Sequence, residues 1–304
     1  MKTVLNTYQR EYKETKEKLN VSAGKRPDWL KVKLPTGENY TDLRNLMKRQ
    51  SLHTVCEEAR CPNIAECWNH RTATFMILGD TCTRSCGFCN VKLGIPNSID
   101  NDEPRRVAES VKELNLRHVV ITSVNRDELK DGGANIFAET VRLINELMPD
   151  TTVEILIPDF RGIEEAFYII MKSPPDILNH NIETVPRLYP VVRPQAKYRR
   201  SLELISWFKE KGLKTKSGMM VGIGEKNDEV LIAMNDLVMS GCDILTIGQY
   251  LQPTKEHLPV DRFVSLEDFR MYKDEGLKMG FKIVESLPLV RSSYHADEQA
   301  RALF

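Results

Sequence analysis

The chain has 304 residues, of which 41% are hydrophobic, and its 43 Lys and Arg residues balance its 43 Asp and Glu residues. This composition is typical of a globular protein with a large core, and the zero net charge gives no indication of nucleic-acid or membrane binding. No apolar run reaches the roughly 18 residues of a membrane-spanning helix and no secretory signal begins the chain, so we expect a cytoplasmic protein.

The first 50 residues are basic, with 12 Lys and Arg residues against 6 Asp and Glu residues. Residues 8–19 carry opposite charges three or four positions apart, which predicts an exposed helix or, alternatively, a basic surface for an acidic protein partner. Residues 40–51 predict a second helix, with Leu43, Leu46 and Met47 on one face. This helix leads into the first cysteines of the chain.

Six of the seven cysteines lie between residues 56 and 89, in two groups of three. The first group has the spacing C-x4-C-x5-C (Cys56, Cys61 and Cys67), and the second has the spacing C-x3-C-x2-C (Cys82, Cys86 and Cys89). Such compact groups indicate ligand sets, whereas we interpret Cys242 as a buried thiol. Iron–sulfur clusters are bound by thiolates. A structural zinc ion stays an alternative, but it needs a fourth ligand such as His53 or His70. Disulfides are disfavoured in a cytosolic protein.

From residue 74 onward, short β-type runs alternate with helical patterns. The predicted strands are residues 74–78, 118–122, 152–157, 177–179, 215–220 and 244–247, with a possible seventh at 282–285. The predicted helices are residues 104–114, 134–147, 163–171, 201–211, 228–239 and 266–279. This alternation predicts an α/β fold with a parallel sheet. Six units fit a partial (βα)6 barrel of the TIM type, with N-terminal and C-terminal extensions closing over its mouth.

Parallel barrels bind ligands at the carboxyl ends of their strands, and polar or glycine residues lie at several predicted strand ends. The candidates at these ends are Ser123, Asn125, Arg126, Asn179, Gly222 and Gly224, and two further candidates are Glu154, within the third strand, and Arg193. Each of them alone could equally cap a helix or close a turn. Their convergence on one edge of the sheet is what indicates a binding site.

The second cysteine group, with Phe88 before its last cysteine, resembles the radical S-adenosylmethionine (SAM) superfamily. The upstream C-x4-C-x5-C group and the RSSY sequence at residues 291–294 narrow this resemblance to the lipoyl synthase family. Further matching segments are ATFMILGDTCTRSCGFCNV, VVITSVNRDEL, VEILIPDF, NHNIETV, KTKSGMMVGIGE and LTIGQYLQPT. The resemblance extends from about residue 26 to residue 296.

The resemblance implies two [4Fe–4S] clusters and SAM as a co-substrate. Cys82, Cys86 and Cys89 would hold the cluster that binds SAM. The first cysteine group and Ser292 would hold an auxiliary cluster, which donates sulfur. A hard serine oxygen should be an easier ligand for iron to lose than a thiolate, which suits a cluster that is consumed.

The implied reaction is sulfur insertion at carbons 6 and 8 of an octanoyl group on a lipoyl carrier domain, which gives the dihydrolipoyl group. The implied partners are the carrier domains of 2-oxoacid dehydrogenases, the glycine-cleavage H protein and a low-potential electron donor such as ferredoxin or flavodoxin. A monomer is expected.

Roles at the SAM site follow from the same resemblance. The segment after the second strand and the VGIGE segment are expected to line it, with Glu154 as a ribose partner. Arg126 and Arg193 are candidates for carboxylate contacts through their forked guanidinium groups. We predict three regions: residues 1–67, which carry the auxiliary-cluster cysteines; residues 68–281, the radical SAM core; and residues 282–304, which carry RSSY.

Three alternatives stay open at this point. A different radical SAM enzyme could use the auxiliary cluster for electron transfer. A binding module stapled by zinc would need no SAM. A nucleic-acid-modifying radical enzyme would usually present a broad basic surface, which this neutral chain does not predict.

Overall fold

A computed structural model describes residues 26–30, 38–69 and 74–304 of the chain. The helix predicted at residues 8–19 and the possible zinc ligand His70 lie outside these residues. Within the described ranges, no helix has both the length and the apolar character needed to cross a membrane.

The described strands and helices follow the predicted alternation. The strands are β1 (His53–Thr54), β2 (Thr74–Ile77), β3 (Thr81–Cys82), β4 (Lys92–Leu93), β5 (His118–Ser123), β6 (Thr152–Leu156), β7 (Ile177–Asn179), β8 (Lys214–Val221), β9 (Ile244–Gln249) and β10 (Ile283–Ser286). The helices are α1 (Glu38–Arg49), α2 (Val55–Glu58), α3 (Ile64–Asn69), α4 (Glu103–Leu114), α5 (Ala134–Leu147), α6 (Glu164–Ile170), α7 (Tyr189–Val192), α8 (Tyr198–Glu210), α9 (Asn227–Met239), α10 (Leu266–Met279) and α11 (Ala296–Arg301).

One sheet of eight strands forms the centre of the fold, in the order β1-β2-β5-β6-β7-β8-β9-β10. The strands from β2 to β10 are parallel to their neighbours, and β1 alone pairs antiparallel, with β2. Spatial order therefore follows chain order, as right-handed crossovers in a barrel require. The described strands β1 and β10 have no hydrogen-bonded partner at the outer edges, so the sheet stays open. The α/β fold, the six predicted strands and the possible seventh are confirmed.

The strands are parallel and central because their residues are apolar on both faces. All six residues of β9 are buried, as are the first five of β5. Such continuous apolar runs are typical of parallel strands that are covered on both faces. The helices supply that cover through one apolar face each. In α10, for example, Ser265 caps the first turn and Gly280, with φ of 117°, ends the helix.

The C-terminal segment contacts both ends of the sheet. After β10, residues 287–295 return along the sheet, and Ala300 of α11 packs against Ile177 and Ile244. These two isoleucines are the first residues of β7 and β9. Helix α11 therefore covers the amino ends of the strands, while residues 290–293 of the same extension line the cavity at their carboxyl ends, as expected. The apolar side chains at the amino ends of β7 and β9 explain why the helix packs there, since it covers them from water.

Candidate active site

A cavity of about 1100 Å³ opens among the carboxyl ends of the strands, and both cysteine groups reach it. Cys56 and Cys61 of the first group contribute to its wall, together with the whole second group. The strand ends that enclose it include Ser123 of β5 and Gly248 of β9. The barrel thus brings two cysteine groups, which are separate in sequence, to a single space.

The second cysteine group lies in the long loop after β2, between the short strands β3 and β4. The Sγ atom of Cys82 accepts hydrogen bonds of 3.4 Å from the backbone N–H groups of Arg84 and Asn125. Backbone donors directed at a cysteine sulfur stabilise a charged thiolate, which is the form that binds iron. The loop is therefore arranged to hold thiolate ligands.

In the first cysteine group, Cys56 lies on α2, Cys67 lies on α3 and Cys61 lies between the two helices. The buried indole of Trp68 packs α3 against the ring of Tyr40. All three of its cysteines line a second, small cavity of about 20 Å³. Ser293 also lines this small cavity, whereas Ser292 and Ser293 both line the large one. Ser292 was the predicted oxygen ligand, and that assignment stays a prediction. Its neighbour Ser293 is the serine that shares a cavity with Cys56, Cys61 and Cys67.

Five of the six clustered cysteines have surroundings that disfavour ionisation of the thiol. Burial raises the pKa of Cys56 and of Cys67 to about 12, and neighbouring cysteines add to both shifts. Burial also raises the pKa of Cys86 to about 11, and it raises the pKa of Cys61 and of Cys89. Metal binding must therefore displace protons from these groups. In the described part of the chain, no three His, Cys, Asp or Glu side chains are placed to share a single metal ion.

Three of the predicted SAM-site residues line the large cavity. They are Ser123, Asn125 and Arg193. The side chains of all three hold a buried polar atom without a hydrogen-bond partner, namely Ser123 Oγ, Asn125 Oδ1 and Arg193 Nε. Buried polar groups are normally paired, so these atoms indicate a polar ligand that completes them. Arg193 is fixed by a 2.6 Å hydrogen bond to the carbonyl of Asn181.

Glu154 and Asn179 do not line either cavity. Glu154 is fully buried, where it accepts hydrogen bonds from Lys216 Nζ at 3.0 Å and from Asn179 Nδ2 at 2.8 Å. Burial alone would raise its pKa, but Lys216 and His118 lower it below its usual value. The expected ribose contact of Glu154 therefore has no support, because its carboxylate neutralises a buried lysine.

Arg126 is also directed away from the cavity. Its three guanidinium nitrogens donate to Glu128, to the carbonyl of Leu78 and to the carbonyl of Asn97. These contacts join the segment after β5 to two other loops. A carboxylate contact of Arg126 with a ligand therefore has no support in the structure, and we assign the residue to loop packing.

Gly222 and Gly224 form a turn rather than a wall of the cavity. Gly222 has φ of 91°, and a Cβ atom there would lie 2.4 Å from the carbonyl oxygen of Arg262. The carboxylate of Glu225 accepts hydrogen bonds from the backbone N–H groups of Gly222 and Ile223. Glycine is required here by the backbone geometry, and the expected role of this segment in lining the SAM site has no support.

The sequence reasoning missed Glu183, whose side chain lines the large cavity. Burial raises the pKa of its carboxyl group, and Asn181 Nδ2 donates a 3.1 Å hydrogen bond to it. Its φ of 65° is unusual for a residue with a side chain. The only signal in the sequence was its place in NHNIETV, after β7, where we singled out Asn179 instead.

Comparisons with known families match two ranges of the chain. The radical SAM superfamily matches residues 76–237, and the N-terminal domain of lipoyl synthase matches residues 2–61. The lipoyl synthases of Rubrobacter xylanophilus and Flavobacterium johnsoniae are 60% and 56% identical to the chain. The two alignments each cover 90% of this chain, and they cover 86% and 95% of those proteins respectively.

Solved structures with low sequence identity share the fold. SuiB of Streptococcus suis, crystallised with S-adenosylmethionine, superposes with a TM-score of 0.56 at 14% identity, over 84% of this chain and 58% of that chain. Methylornithine synthase superposes with a TM-score of 0.54 at 15% identity, over 84% of both chains. At these identities the comparison establishes the architecture alone.

Proposed function

The chain belongs to the lipoyl synthase family of the radical SAM superfamily, and from this we propose that it inserts two sulfur atoms into an octanoyl group carried by a lipoyl domain. The insertion takes place at carbons 6 and 8. The observation that carries the proposal is the single cavity of about 1100 Å³ that both cysteine groups reach. Sulfur insertion needs a site of radical generation and a source of sulfur on either side of one substrate chain.

The residues present fit two [4Fe–4S] clusters. Cys82, Cys86 and Cys89 offer three thiolates and leave one iron open for SAM. The first cysteine group offers three more, and an RSSY serine supplies the fourth ligand. We assign that ligand to Ser293 because it lines the small cavity with the three cysteines, and we retain Ser292 as the alternative.

When bound, the cluster held by Cys82, Cys86 and Cys89 would supply the electron for reductive cleavage of SAM, and the cluster held by the first cysteine group would supply sulfur. The protein positions the reactants. We propose that Arg193 binds the SAM carboxylate, since its Nε atom is buried and unpaired beside Cys86. Ser123 and Asn125 offer further polar contacts, and Glu183 is placed to accept hydrogen bonds from ribose hydroxyl groups.

The acyl chain requires an apolar path through the cavity. Met76, Val124, Leu156, Met219 and Val290 line it. Each CH₂ group that leaves water for such a surface contributes about 0.8 kcal/mol, so an octanoyl chain binds chiefly through its hydrocarbon. The same residues exclude water from the space where a carbon radical would otherwise be quenched.

The proposed partners are lipoyl carrier domains of 2-oxoacid dehydrogenases and of the glycine-cleavage H protein, together with a low-potential donor such as ferredoxin or flavodoxin. A radical enzyme that uses its auxiliary cluster only for electron transfer is the second candidate, and it predicts a product without sulfur. The location of Ser293 beside the first cysteine group favours the sulfur donor, because a serine ligand is readily lost.

The test is anaerobic reconstitution with iron and sulfide, followed by reaction with dithionite, SAM and an octanoyl-lysine peptide. We expect about eight irons per chain, which is two four-iron clusters. We also expect 5′-deoxyadenosine and a peptide with two added sulfur atoms in the mass spectrum. If 5′-deoxyadenosine forms while the peptide mass gains no sulfur, the proposal fails and the electron-transfer reading replaces it.

A further inference from the structure

The loop that carries the second cysteine group is fastened to several different parts of the barrel. Thr83 donates to the carbonyl of Asn125 after β5, through its backbone N–H at 3.1 Å and its hydroxyl at 3.0 Å. Further on, Gly87 N–H donates to the carbonyl of Val192 at 2.8 Å, and the Gly87 carbonyl accepts from Leu258 N–H at 3.0 Å. These hydrogen bonds fix the backbone of the loop on three sides.

Arg84 is the only charged residue between Cys82 and Cys89, and its side chain is buried. Its Nε and Nη2 atoms donate to the two carboxylate oxygens of Asp127 at 2.7 and 2.8 Å. Nη2 also lies 2.6 Å from Oδ1 of Asp159. One guanidinium group therefore joins the cysteine loop to the segments that follow both β5 and β6.

The carboxylates that receive Arg84 are themselves held in place. Asp159 is fully buried and lies 3.0 Å from Nη1 of Arg200 on α8. Burial alone would raise the pKa of Asp159, but Arg84 outweighs this effect and keeps the pKa well below its usual value. Two arginines and two aspartates thus form a neutral network in which Arg84 and Asp159 are buried and Asp127 and Arg200 are half-buried. Arg84 belongs to the cysteine loop, whereas Arg200 belongs to α8.

We propose that Arg84 is a positioning residue for the radical-generating site: its paired contacts with Asp127 and Asp159 set the position of Cys82, Cys86 and Cys89 relative to the SAM contacts on β5. This inference rests on the proposed function. Asn125 is the link, because its N–H contacts the Cys82 sulfur while Asp127 lies two residues further along. A rigid fork with two parallel hydrogen bonds fixes both distance and direction, which a lysine at the same place does not reproduce.

The test compares Arg84→Lys with Arg200→Lys in the reconstituted full-length protein. Both variants keep the charge and disturb one ion pair of Asp159, but only the first changes the cysteine loop. The readouts are the change that SAM causes in the electron paramagnetic resonance spectrum of the reduced protein, the KM and kcat for 5′-deoxyadenosine formation, and Tm.

For Arg84→Lys we expect loss of the SAM-dependent spectral change and a fall in kcat on the order of 10- to 100-fold, the effect of a small displacement of reacting groups. For Arg200→Lys we expect an unchanged spectrum and kcat, with a comparable fall in Tm. If Arg84→Lys does not fold, Asp127→Asn tests the inference through the same spectrum. This variant removes the paired contact between Arg84 and Asp127 but keeps the ion pair between Arg84 and Asp159.

An unchanged spectral response to SAM in Arg84→Lys would overturn the inference, as would equal losses in the two variants, which indicate a purely structural network. For Asp127→Asn, an unchanged response would likewise overturn it. Failure of the proposed function is distinguishable, because the wild-type protein would then yield no sulfur-bearing peptide, whatever the variants do.

Discussion

Asn63 Nδ2 donates a hydrogen bond of 2.6 Å to the main-chain oxygen of Leu289, 226 residues further along the chain. Tyr294 OH donates a second bond, of 3.0 Å, to Glu66. The two contacts lie on either side of Arg291, Ser292 and Ser293, and they hold this segment beside the first cysteine group. Contacts outside the proposed ligand set therefore hold the RSSY serines beside the first cysteine group.

Replacing the proposed RSSY ligand by cysteine should strongly reduce sulfur insertion. In Ser293→Cys we expect the auxiliary iron to be retained, because a thiolate also binds iron, while sulfur insertion falls on the order of 10-fold or more. Iron analysis and peptide mass spectrometry measure the two effects. Ser292→Cys is the matched control and should insert sulfur at nearly the wild-type rate. The opposite pattern would make Ser292 the ligand, and normal insertion in both variants would contradict the argument from a labile ligand.

The fold could be predicted because the sequence patterns that identify strands and helices are local. Apolar runs such as β5 and β9 identify buried parallel strands without knowledge of their partners. The identity of the ligand sets is also local, since cysteine spacing and the RSSY sequence can be read directly. The hydrogen bond between Asn63 and Leu289 joins residues far apart in the chain, and no sequence pattern in either segment predicts it.

The individual SAM contacts were harder to predict for the same reason. Glu154 and Glu183 are both carboxylates at or near strands of the barrel, and local sequence does not distinguish them. What separates them is the partner: Lys216, from β8, lies against Glu154, whereas Glu183 lies at the wall of the cavity. The carbonyl acceptors of Arg126, at Leu78 and Asn97, belong to other loops, so the sequence around Arg126 does not reveal them.

Gly248 makes room for the returning C-terminal segment. A Cβ atom on this residue would lie 2.0 Å from the carbonyl oxygen of Val290, which is a backbone atom next to Arg291. In Gly248→Ala we therefore expect the segment to be displaced and the iron content to fall from about eight toward about four per chain, the loss of one four-iron cluster. Cleavage of SAM should persist.

Gly276→Ala is a suitable control for this variant, because its Cβ would crowd Met234 and Val284 in the core at 2.9 Å, away from the cysteines. Overpacking of this kind costs about 1–3 kcal/mol of unfolding free energy. Equal iron contents in the two variants would show that the loss reflects general destabilisation.

Glu154 should matter for stability and not for SAM binding. In Glu154→Gln, the buried ammonium group of Lys216 loses its counter-charge, so we expect the free energy of unfolding to fall by about 3–5 kcal/mol in urea titrations. Replacing both residues, by Glu154→Gln with Lys216→Met, should recover much of this loss. The KM of the double variant for SAM should equal that of the wild-type protein. A tenfold rise in the KM for SAM in the double variant would instead support the ribose contact of Glu154 that the resemblance implies.

The two cysteine groups should have separable phenotypes. Cys86→Ala removes a thiolate from the SAM-binding group, so it should abolish 5′-deoxyadenosine formation. Cys61→Ala should allow some 5′-deoxyadenosine to form but yield no sulfur-bearing peptide, because it lies in the group assigned to sulfur supply. Chromatography of the nucleoside and the mass of the peptide measure these outcomes. The same partial loss in both variants would contradict the division of roles.

Glu183 provides the sharpest test of the SAM site, because the structure identifies it and the sequence reasoning did not. Glu183 is half-buried at the cavity wall, and only Asn181 donates to its carboxylate among the hydrogen bonds formed by the described side chains. In Glu183→Gln the shape is kept, but one acceptor for a ribose hydroxyl becomes a donor. An unpaired buried group costs about 1–3 kcal/mol, so KM for SAM should rise on the order of 10-fold or more while Tm changes little. Isothermal titration with SAM under anaerobic conditions measures the affinity directly.

Glu128→Gln, which removes an ion pair with Arg126 outside the cavity, is the control and should leave the affinity unchanged. Wild-type affinity in Glu183→Gln would remove this residue from the SAM site and leave Arg193, Ser123 and Asn125 as its polar contacts.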